Sequence, residues 1–162
     1  MKTLYVQIIY ILLACICVAF DLYTKFLVNK YLELGESITI LEGFFNITNV
    51  HNYGFAFGVL SQSSVIVKST FSIFIAGFLL FLFVWLFFFE KVTLKKIALL
   101  MIFSGGVGNL IDRLTLGYVR DFFDFYYESF HWPAFNLADV YITIGIFLYF
   151  VVDLFYKRPK RN

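Results

Sequence analysis

Residues 69–89 contain no charged side chain, and this unbroken apolar run limits the fold more than any other feature of the sequence. A helix needs about 20 predominantly apolar residues, within a range of about 17–25, to cross the hydrocarbon core of a bilayer. Similar segments occupy residues 3–20, 97–111 and 134–152. The chain is 61% hydrophobic and 15% charged, whereas soluble domains are about 45–50% apolar and about 25% charged. We therefore expect an all-α integral membrane protein with four transmembrane helices in one domain over residues 1–162.

The distribution of basic residues predicts how these spans are oriented. Residues 1–2, residues 90–96 and the C-terminal tail together carry 8 of the 13 lysines and arginines. Loops on the cytoplasmic side of a membrane are enriched in these residues. We therefore expect both termini in the cytoplasm and the segments after the first and third spans on the outer face. The N-terminal region, with LLAC at residues 12–15, is also similar to a lipoprotein signal peptide. A first span is favoured because the sequence stays apolar through Phe20 and three more spans follow.

A short extracytoplasmic β-ribbon is expected at residues 36–58, in the first outer segment. Ile38 and Ile40 alternate with polar residues before a turn-like Glu-Gly pair, and the alternation resumes around Ile47. A period of two residues is typical of strands that have one apolar face. The ribbon is therefore expected to lie near the membrane surface.

Metal and cofactor motifs are absent from the sequence. His51 and His131 are the two histidines, and neither belongs to a Cys/His or HExxH cluster, so no zinc site is expected. Residues 105–109 read GGVGN inside an apolar span, where glycines favour close approach of another helix rather than phosphate binding. The sequence therefore predicts no metal, no cofactor and no nucleic-acid partner.

The candidate catalytic residues are carboxylates at one side of the predicted bundle. Asp139 opens the last span beside Asn136 without a cation near it in sequence, and an acid in a membrane span is a hypothesis of function. The other acids of the outer region are Asp21, Asp112, Asp121 and Asp124. Two carboxylates held close together share one proton, so one can act as general base on a water and the other as general acid. The pattern permits aspartic-protease chemistry, although Asp139 alone equally fits a proton pathway.

Each of these polar residues also has a structural explanation. Asp112 is followed by an arginine and is favoured as a charge partnered by it. Asp124 is expected to be an exposed charge. Asp21 and Lys25 have the four-residue spacing of an ion pair on a helix. Asn136 is a candidate N-cap of the last helix.

Four sequence blocks resemble the bacterial lipoprotein signal peptidase family, also called signal peptidase II or prolipoprotein signal peptidase. The blocks are DLYTK (21–25), NITNVHNYGFAFG (46–58), GGVGNLIDRLTLGYVRDFFDF (105–125) and PAFNLADVYITIG (133–145). They occur in the family's order among the four predicted spans. The resemblance implies a four-helix aspartic endopeptidase of the inner membrane. Such an enzyme removes the signal peptide of a prolipoprotein by cleaving just before a diacylglyceryl-modified cysteine.

The resemblance also implies roles for individual residues. Asp121 and Asp139 match the two catalytic aspartates, and the ribbon at residues 36–58 is implied to cradle the substrate. The residues implied to bind or orient the substrate are Asn52, Gly54, Asn109, Arg113 and Asn136. Asp21, Lys25 and Asp112 are candidates for structural or supporting roles. The implied partners are diacylglyceryl-modified prolipoproteins, membrane lipids and globomycin-like inhibitors, and no metal is required.

Three residues depart from the family pattern. Leu22 stands where glutamine is usual, Phe55 replaces a small residue, and Arg120 precedes Asp121 where valine is common. Leu22 and Phe55 are expected to change local packing or substrate fit. Arg120 is expected either to favour the ionised form of Asp121 or to face lipid headgroups.

Two other functions are alternatives to a peptidase. A non-enzymatic membrane assembly factor fits the four helices but gives no reason for Asp139. A small proton-coupled transporter fits the acids, but it calls for acids near the middle of the membrane and for repeated halves.

Overall fold

The computed structural model describes residues 2–54 and 64–156, which form a bundle of helices with a small antiparallel sheet at one end. The elements in chain order are α1 (Lys2–Tyr31), β1 (Ser37–Leu41), β2 (Phe45–Asn52), α2 (Val65–Val84), α3 (Thr93–Leu116), β3 (Val119–Tyr127), β4 (Phe130–His131) and α4 (Leu137–Phe155). A π-helical turn, Trp85–Phe89, continues α2. Within the described residues, four helices are long and apolar enough to cross a membrane. The expected membrane fold of four helices and a small sheet is therefore confirmed.

All four helices have ends that differ from the apolar segments in the sequence: α2 begins four residues earlier, and α3 extends by four residues before and five after the expected 97–111. The differences in α1 and α4 have clear structural causes. Helix α1 runs to Tyr31 rather than to residue 20 because Asp21 and Lys25, which interrupt the apolar run, are fully buried and paired with each other. Helix α4 begins at Leu137, three residues later than expected. Phe135 exchanges backbone hydrogen bonds of 2.8 and 3.2 Å with Phe123 of β3, so the chain is still extended at that point.

The sheet has the strand order β1-β2-β3-β4, and all its pairings are antiparallel. The expected ribbon corresponds to β1 and β2, and its last four residues, 55–58, lie outside the described residues. Strands β3 and β4 were not expected. A bulge in β2 follows Ile47, which pairs with Phe123, whereas Val50 pairs with Asp121. The bulge strengthens the local twist of the strand beside Asp121.

Helix α3 occupies the centre of the bundle and packs against α1, α2 and α4. Its contact with α2 forms the apolar core, which consists of Leu79, Leu82, Leu86, Leu99 and Leu100. Its contact with α4 depends on glycine, because a methyl group on Gly105 would collide with the backbone oxygen of Ala138. A methyl group on Gly145 would come within 2.7 Å of the backbone oxygen of Ala98. The two backbones therefore lie close together, as the glycine-rich sequence predicts.

Candidate active site

A cavity of about 860 Å³ lies where the sheet meets the adjoining ends of α3 and α4. Its charged and amide-bearing lining residues are Asn52, Asn109, Arg113, Asp121 and Asp139. The rest of the lining is mainly apolar and comes from α2, α3, α4 and the segment Trp132–Phe135, with Ile75, Phe78, Leu79 and Ile142 among its members. The cavity therefore combines a carboxylate-bearing polar end with a long apolar region inside the bundle.

Asp121 is held on β3 by two side-chain amides. Its Oδ1 accepts a hydrogen bond of 2.6 Å from Asn136 Nδ2, and its Oδ2 accepts one of 3.0 Å from Asn52 Nδ2. The side chain is 2% exposed. Burial, together with the negative charge of Asp139, raises the pKa of Asp121 to about 7, although the two amide donors act in the opposite direction. Asp121 therefore changes protonation state close to neutral pH.

Asp139 lies in the first turn of α4. Its Oδ1 accepts a hydrogen bond of 2.8 Å from Asn109 Nδ2, and its Oδ2 accepts one of 3.2 Å from the backbone N–H of Asn136. The first turn of a helix stabilises negative charge through its free N–H groups and the helix dipole. Both oxygens of Asp139 therefore face hydrogen-bond donors at a position that favours the carboxylate.

Asn136 connects the two aspartates. It is the N-cap of α4, and its Oδ1 accepts from the backbone N–H of Asp139 at 3.1 Å, completing a reciprocal capping box. Its Nδ2 donates to Asp121 and, at 3.1 Å, to Asn109 Oδ1. The structural explanation of Asn136 as an N-cap therefore holds, and the same side chain also contacts Asp121.

Asn52, Gly54 and Arg113 form the wall of the site beside β2. Asn52 Oδ1 accepts from the backbone N–H of Gly54 at 3.0 Å, which directs its Nδ2 towards Asp121. Arg113 donates to the backbone oxygens of Gly54 and Asn109, each at 3.3 Å. The structure therefore brings together all seven residues that the resemblance placed at the catalytic and substrate-orienting positions.

The supporting residues form a separate buried cluster behind the cavity. Lys25 Nζ lies 2.8 Å from Asp21 and 3.6 Å from Asp112. Asp112 also binds Arg120, whose guanidinium contacts both carboxylate oxygens, at 2.6 and 3.2 Å. Asp112 is therefore a partnered charge, as expected, but the arginine that hydrogen-bonds to it is Arg120 and not its neighbour in sequence, whose charge also acts on it. The expectation that Arg120 faces lipid headgroups is wrong, because its guanidinium is directed inwards to Asp112.

Asp124 and the two histidines lie away from the lining of the cavity. Asp124 is 7% exposed rather than exposed as expected, because it accepts from Asn46 at 2.9 Å and contacts His131 at 2.8 Å. His51 stacks on Tyr118 with 3.8 Å between ring centres. Burial and the charge of Arg120 lower the pKa of His51. Among the described residues, no group of three or more His, Cys, Asp or Glu side chains is placed to hold a metal ion.

The sequence did not identify the apolar residues that line the cavity. Phe78 and Leu79 come from the uninterrupted apolar run of α2, where no pattern distinguishes a residue facing a cavity from one facing lipid. One signal of this lining was present in the sequence, namely the aromatic segment before α4. Two of its residues, Trp132 and Phe135, line the cavity.

The fold and the site together define a polytopic membrane protein with two carboxylates, Asp121 buried and Asp139 half-buried, on one cavity at one end of its helical bundle. The sequence profile of the family described as Signal peptidase (SPase) II matches residues 13–155. The chain therefore belongs to the signal peptidase II family, which makes it a multi-pass peptidase of the bacterial inner membrane.

Individual relatives cover almost the whole chain. A lipoprotein signal peptidase of Francisella tularensis subsp. novicida (strain U112) is 41% identical over 155 residues, which are 93% of this chain and 94% of the relative. A protein of the same name from Fusobacterium nucleatum subsp. nucleatum is 44% identical over 156 residues, which are 96% of this chain and 92% of the relative.

Two solved bacterial membrane enzymes, both determined by the in meso method, share the fold. The first, at 2.3 Å resolution, superposes with a TM-score of 0.81 and 31% identity over 94% of this chain and 93% of its own. The second, at 1.9 Å resolution, gives a TM-score of 0.76 and 32% identity over 92% of this chain and 94% of its own.

Proposed function

We propose that this protein is an aspartic endopeptidase that removes the signal peptide of prolipoproteins by cleaving just before the diacylglyceryl-modified cysteine. The observation that carries the proposal is that Asp121 and Asp139 line one cavity and are linked through Asn109 and Asn136. Two carboxylates in this relation supply a general base and a general acid without a metal or cofactor.

The two aspartates have different environments, and these assign the roles. Asp139 lies at a helix N-terminus that stabilises a negative charge, so it is the carboxylate that accepts a proton from water. Asp121 has a pKa raised to about 7 by burial and by the charge of Asp139, so a large fraction of it still holds a proton near neutral pH. Asp139 is therefore the general base, and Asp121 is the general acid.

The reaction proceeds through a neutral tetrahedral intermediate. Asp139 takes a proton from a water whose oxygen attacks the carbonyl carbon before the modified cysteine, while Asp121 gives its proton to the carbonyl oxygen. The C–N bond then breaks as Asp139 protonates the leaving amine and a hydroxyl of the intermediate returns its proton to Asp121. These transfers yield a carboxylic acid and an amine and restore the starting protonation of both aspartates.

Substrate binding follows from the two parts of the cavity. A peptide bond can be cut within a bilayer only where its backbone groups are not all bonded within a helix, so the substrate must be locally unwound. Asn52, Gly54 and Arg113 lie where hydrogen bonds to such a backbone would orient it. The apolar lining from α2, α3 and α4 suits the acyl chains of the diacylglyceryl group and adjoining membrane lipid. Globomycin-like inhibitors are proposed to occupy the same cavity.

The site is proposed to face the outer side of the membrane, with both termini in the cytoplasm. Basic residues are enriched in the cytoplasmic loops of membrane proteins. Lys91, Lys95 and Lys96 lie at the connection between α2 and α3, which is the end of the bundle away from the sheet. With these lysines inside, the sheet and both aspartates lie outside, where a translocated prolipoprotein presents its cleavage site.

Cleavage of a diacylglyceryl-modified prolipoprotein peptide by the purified protein in detergent tests the proposal. Asp139→Asn and Asp121→Asn should each lower kcat by on the order of a thousandfold or more, and the double variant should lose little beyond either single one, because the pair acts as a unit. Asp124→Asn is the matched control, since it alters a buried carboxylate of the same strand that does not line the cavity.

Three outcomes of this assay would contradict the proposal. Activity that survives Asp139→Asn would place the chemistry elsewhere. Additive losses in the double variant would exclude a dyad. Equal cleavage of an unlipidated peptide would remove the diacylglyceryl group from the specificity.

A further inference from the structure

The cluster of Asp21, Lys25, Asp112 and Arg120 is enclosed within the protein and has no part in the cavity lining. The Asp21, Lys25 and Asp112 side chains are 0% exposed, and that of Arg120 is 14% exposed. Replacing a buried ion pair by apolar residues is often neutral or stabilising. Stability alone therefore gives little reason for two acids and two bases to be buried here.

One contact connects this cluster to the aspartate pair. Lys25 Nζ donates a hydrogen bond of 2.9 Å to Asn109 Oδ1. An ammonium group carries donors only, so the atom of Asn109 that faces Lys25 must be its oxygen. The amide nitrogen of Asn109 is then turned the other way, where it donates to Asp139 Oδ1 at 2.8 Å.

From this chain of contacts we propose that Lys25 is a positioning residue for the peptidase reaction, which keeps Asp139 as the general base by fixing the orientation of the Asn109 amide. The proposal rests on the function proposed above. Asn109 Oδ1 accepts from two donors, Lys25 and, at 3.1 Å, Asn136 Nδ2. Without the ammonium, the weaker of these two contacts alone opposes rotation, so the amide more readily presents its oxygen to Asp139. A carboxylate facing a carbonyl oxygen is repelled unless it takes up a proton, and a protonated Asp139 cannot activate water.

Asp21 contributes to the same arrangement from the neighbouring turn of α1. Its Oδ1 accepts a hydrogen bond of 2.9 Å from the backbone N–H of Ala138, which is next to Asp139 in the first turn of α4. Asp21 also holds Lys25 at 2.8 Å. A methyl group on Gly108 would collide with Asp21 Oδ2, so a glycine of α3 admits this carboxylate. The cluster therefore fixes both the lysine and the helix end that carries Asp139.

Other charged groups act on Asp139 and are left intact by a change at position 25. Arg113 of α3 interacts electrostatically with Asp139, Asp121 and Asp112, and the charge of Asp139 acts on Asp121 of β3. The residues that α2 contributes to the cavity lining carry no charge. A change in the pH dependence of the reaction after removal of Lys25 therefore reports on Lys25 and its amide partner.

The test is the pH dependence of kcat/KM for the lipidated peptide in Lys25→Met and in the double variant Asp21→Asn/Lys25→Met. The double variant removes both charges of the pair together, while the asparagine oxygen that it introduces can still accept from the backbone N–H of Ala138. We expect kcat/KM at pH 7 to fall about 10- to 100-fold, the effect of losing a charge-assisted hydrogen bond. The acid limb of the profile should move upward, because a general base that faces a carbonyl oxygen holds a proton to higher pH.

The matched control is Lys95→Met/Asp153→Asn. Lys95 is also a buried lysine of the bundle paired with an aspartate, but it lies about 20 Å along α3 from Asn109. This variant should keep the acid limb of the unaltered protein, whatever it does to thermal stability in detergent. Lys25→Arg, which retains a donor-only cation, should keep the acid limb near its original position.

The outcomes distinguish a positioning role from a structural one. A moved acid limb in the Lys25 variants, with an unmoved limb in the control, supports the proposal. Activity within about twofold of the unaltered protein, or a loss that is equal at every pH and matches the folded fraction, overturns it. If Lys25→Met does not fold, the acid limbs of the double variant and of Lys25→Arg decide between a positioning role and a structural one. If the unaltered protein does not cleave the lipidated peptide, the proposed function fails instead.

Discussion

Asn136 Nδ2 lies 2.6 Å from Asp121 Oδ1, and this short hydrogen bond joins the start of α4 to the third strand of the sheet. Asn136 is fully buried, and its side-chain oxygen is already used by the backbone N–H of Asp139. One side chain therefore caps the helix that carries one aspartate and orients the other aspartate. Substitutions at position 136 can separate the helix cap from the hydrogen bond to Asp121.

Asn136→Ser should lose activity without losing the helix cap. Serine caps helices about as well as asparagine, but its single hydroxyl cannot accept from Asp139 and also reach Asp121. We expect thermal stability in detergent to stay close to that of the unaltered protein, while cleavage of the lipidated peptide falls at least about tenfold. Asn136→Ala should show the same loss of activity with about 1 kcal/mol of further destabilisation. Equal activity in Asn136→Ser and the unaltered protein would show that the bond to Asp121 is not needed.

The rate of cleavage should fall as the pH rises through about 7. The general acid must be protonated, and burial with the charge of Asp139 raises the pKa of Asp121 to about 7. The profile of kcat/KM against pH should therefore have a basic limb near neutrality. Asp121→Glu is a useful comparison, since it keeps the carboxyl group and alters its placement. A rate that stays constant from about pH 6 to about pH 9 would assign the acid role to another group.

The raised pKa of Asp121 also predicts how the stability of the protein depends on pH. The pKa of Asp121 is higher in the folded protein than its ordinary value of 3.8, so the folded state holds this proton more tightly than the unfolded state. The contribution of Asp121 to stability is therefore complete below about pH 4 and is lost as the pH rises to about 7. Asp121→Asn should remove this part of the pH dependence of thermal unfolding, and Asp124→Asn should leave it in place.

The sequence was sufficient for the membrane fold because uncharged runs of this length have few alternatives to a spanning helix. It did not predict β3, because this strand shows no clean alternation of polar and apolar residues. One face of the strand carries Asp121 and Phe123, and the other carries Arg120 and Asp124. Both faces are packed, because the strand lies between the bundle and the neighbouring segments of the chain. Burial of that kind is visible only in three dimensions.

The error over the partner of Asp112 has a geometric cause. Adjacent residues on a helix point about 100° apart, so Arg113 cannot turn to Asp112 while it reaches Gly54. The true partner, Arg120, follows Gly117, which ends α3 with a φ of +81° and turns the chain back. The ion pair therefore depends on a left-handed turn that favours glycine. Sequence proximity favoured the wrong arginine.

Gly105→Ala should loosen the packing that sets the position of Asp139. Its methyl group would collide with the backbone oxygen of Ala138 and would come within 2.8 Å of Ile142. We expect a loss of about 1–3 kcal/mol in stability, as overpacking usually causes, and a clear fall in kcat because α4 must shift. Gly77→Ala is the control, since nothing lies within 4 Å of its added methyl group. If both variants behave alike, the close contact between α3 and α4 has no special importance.

Arg120→Val removes the guanidinium that binds Asp112, and it should destabilise the protein. Asp112 would lose the guanidinium that contacts both of its oxygens. It would keep the backbone N–H of residue 120 at 3.1 Å, Lys25 at 3.6 Å and the charge of Arg113. Removing one member of a buried ion pair costs about 3–5 kcal/mol. Asp112→Asn combined with Arg120→Val should recover most of that loss, because the uncompensated charge is gone. Thermal unfolding in detergent measures both variants, and a destabilisation that is equal in the single and double variants would show that Arg120 acts through packing rather than charge.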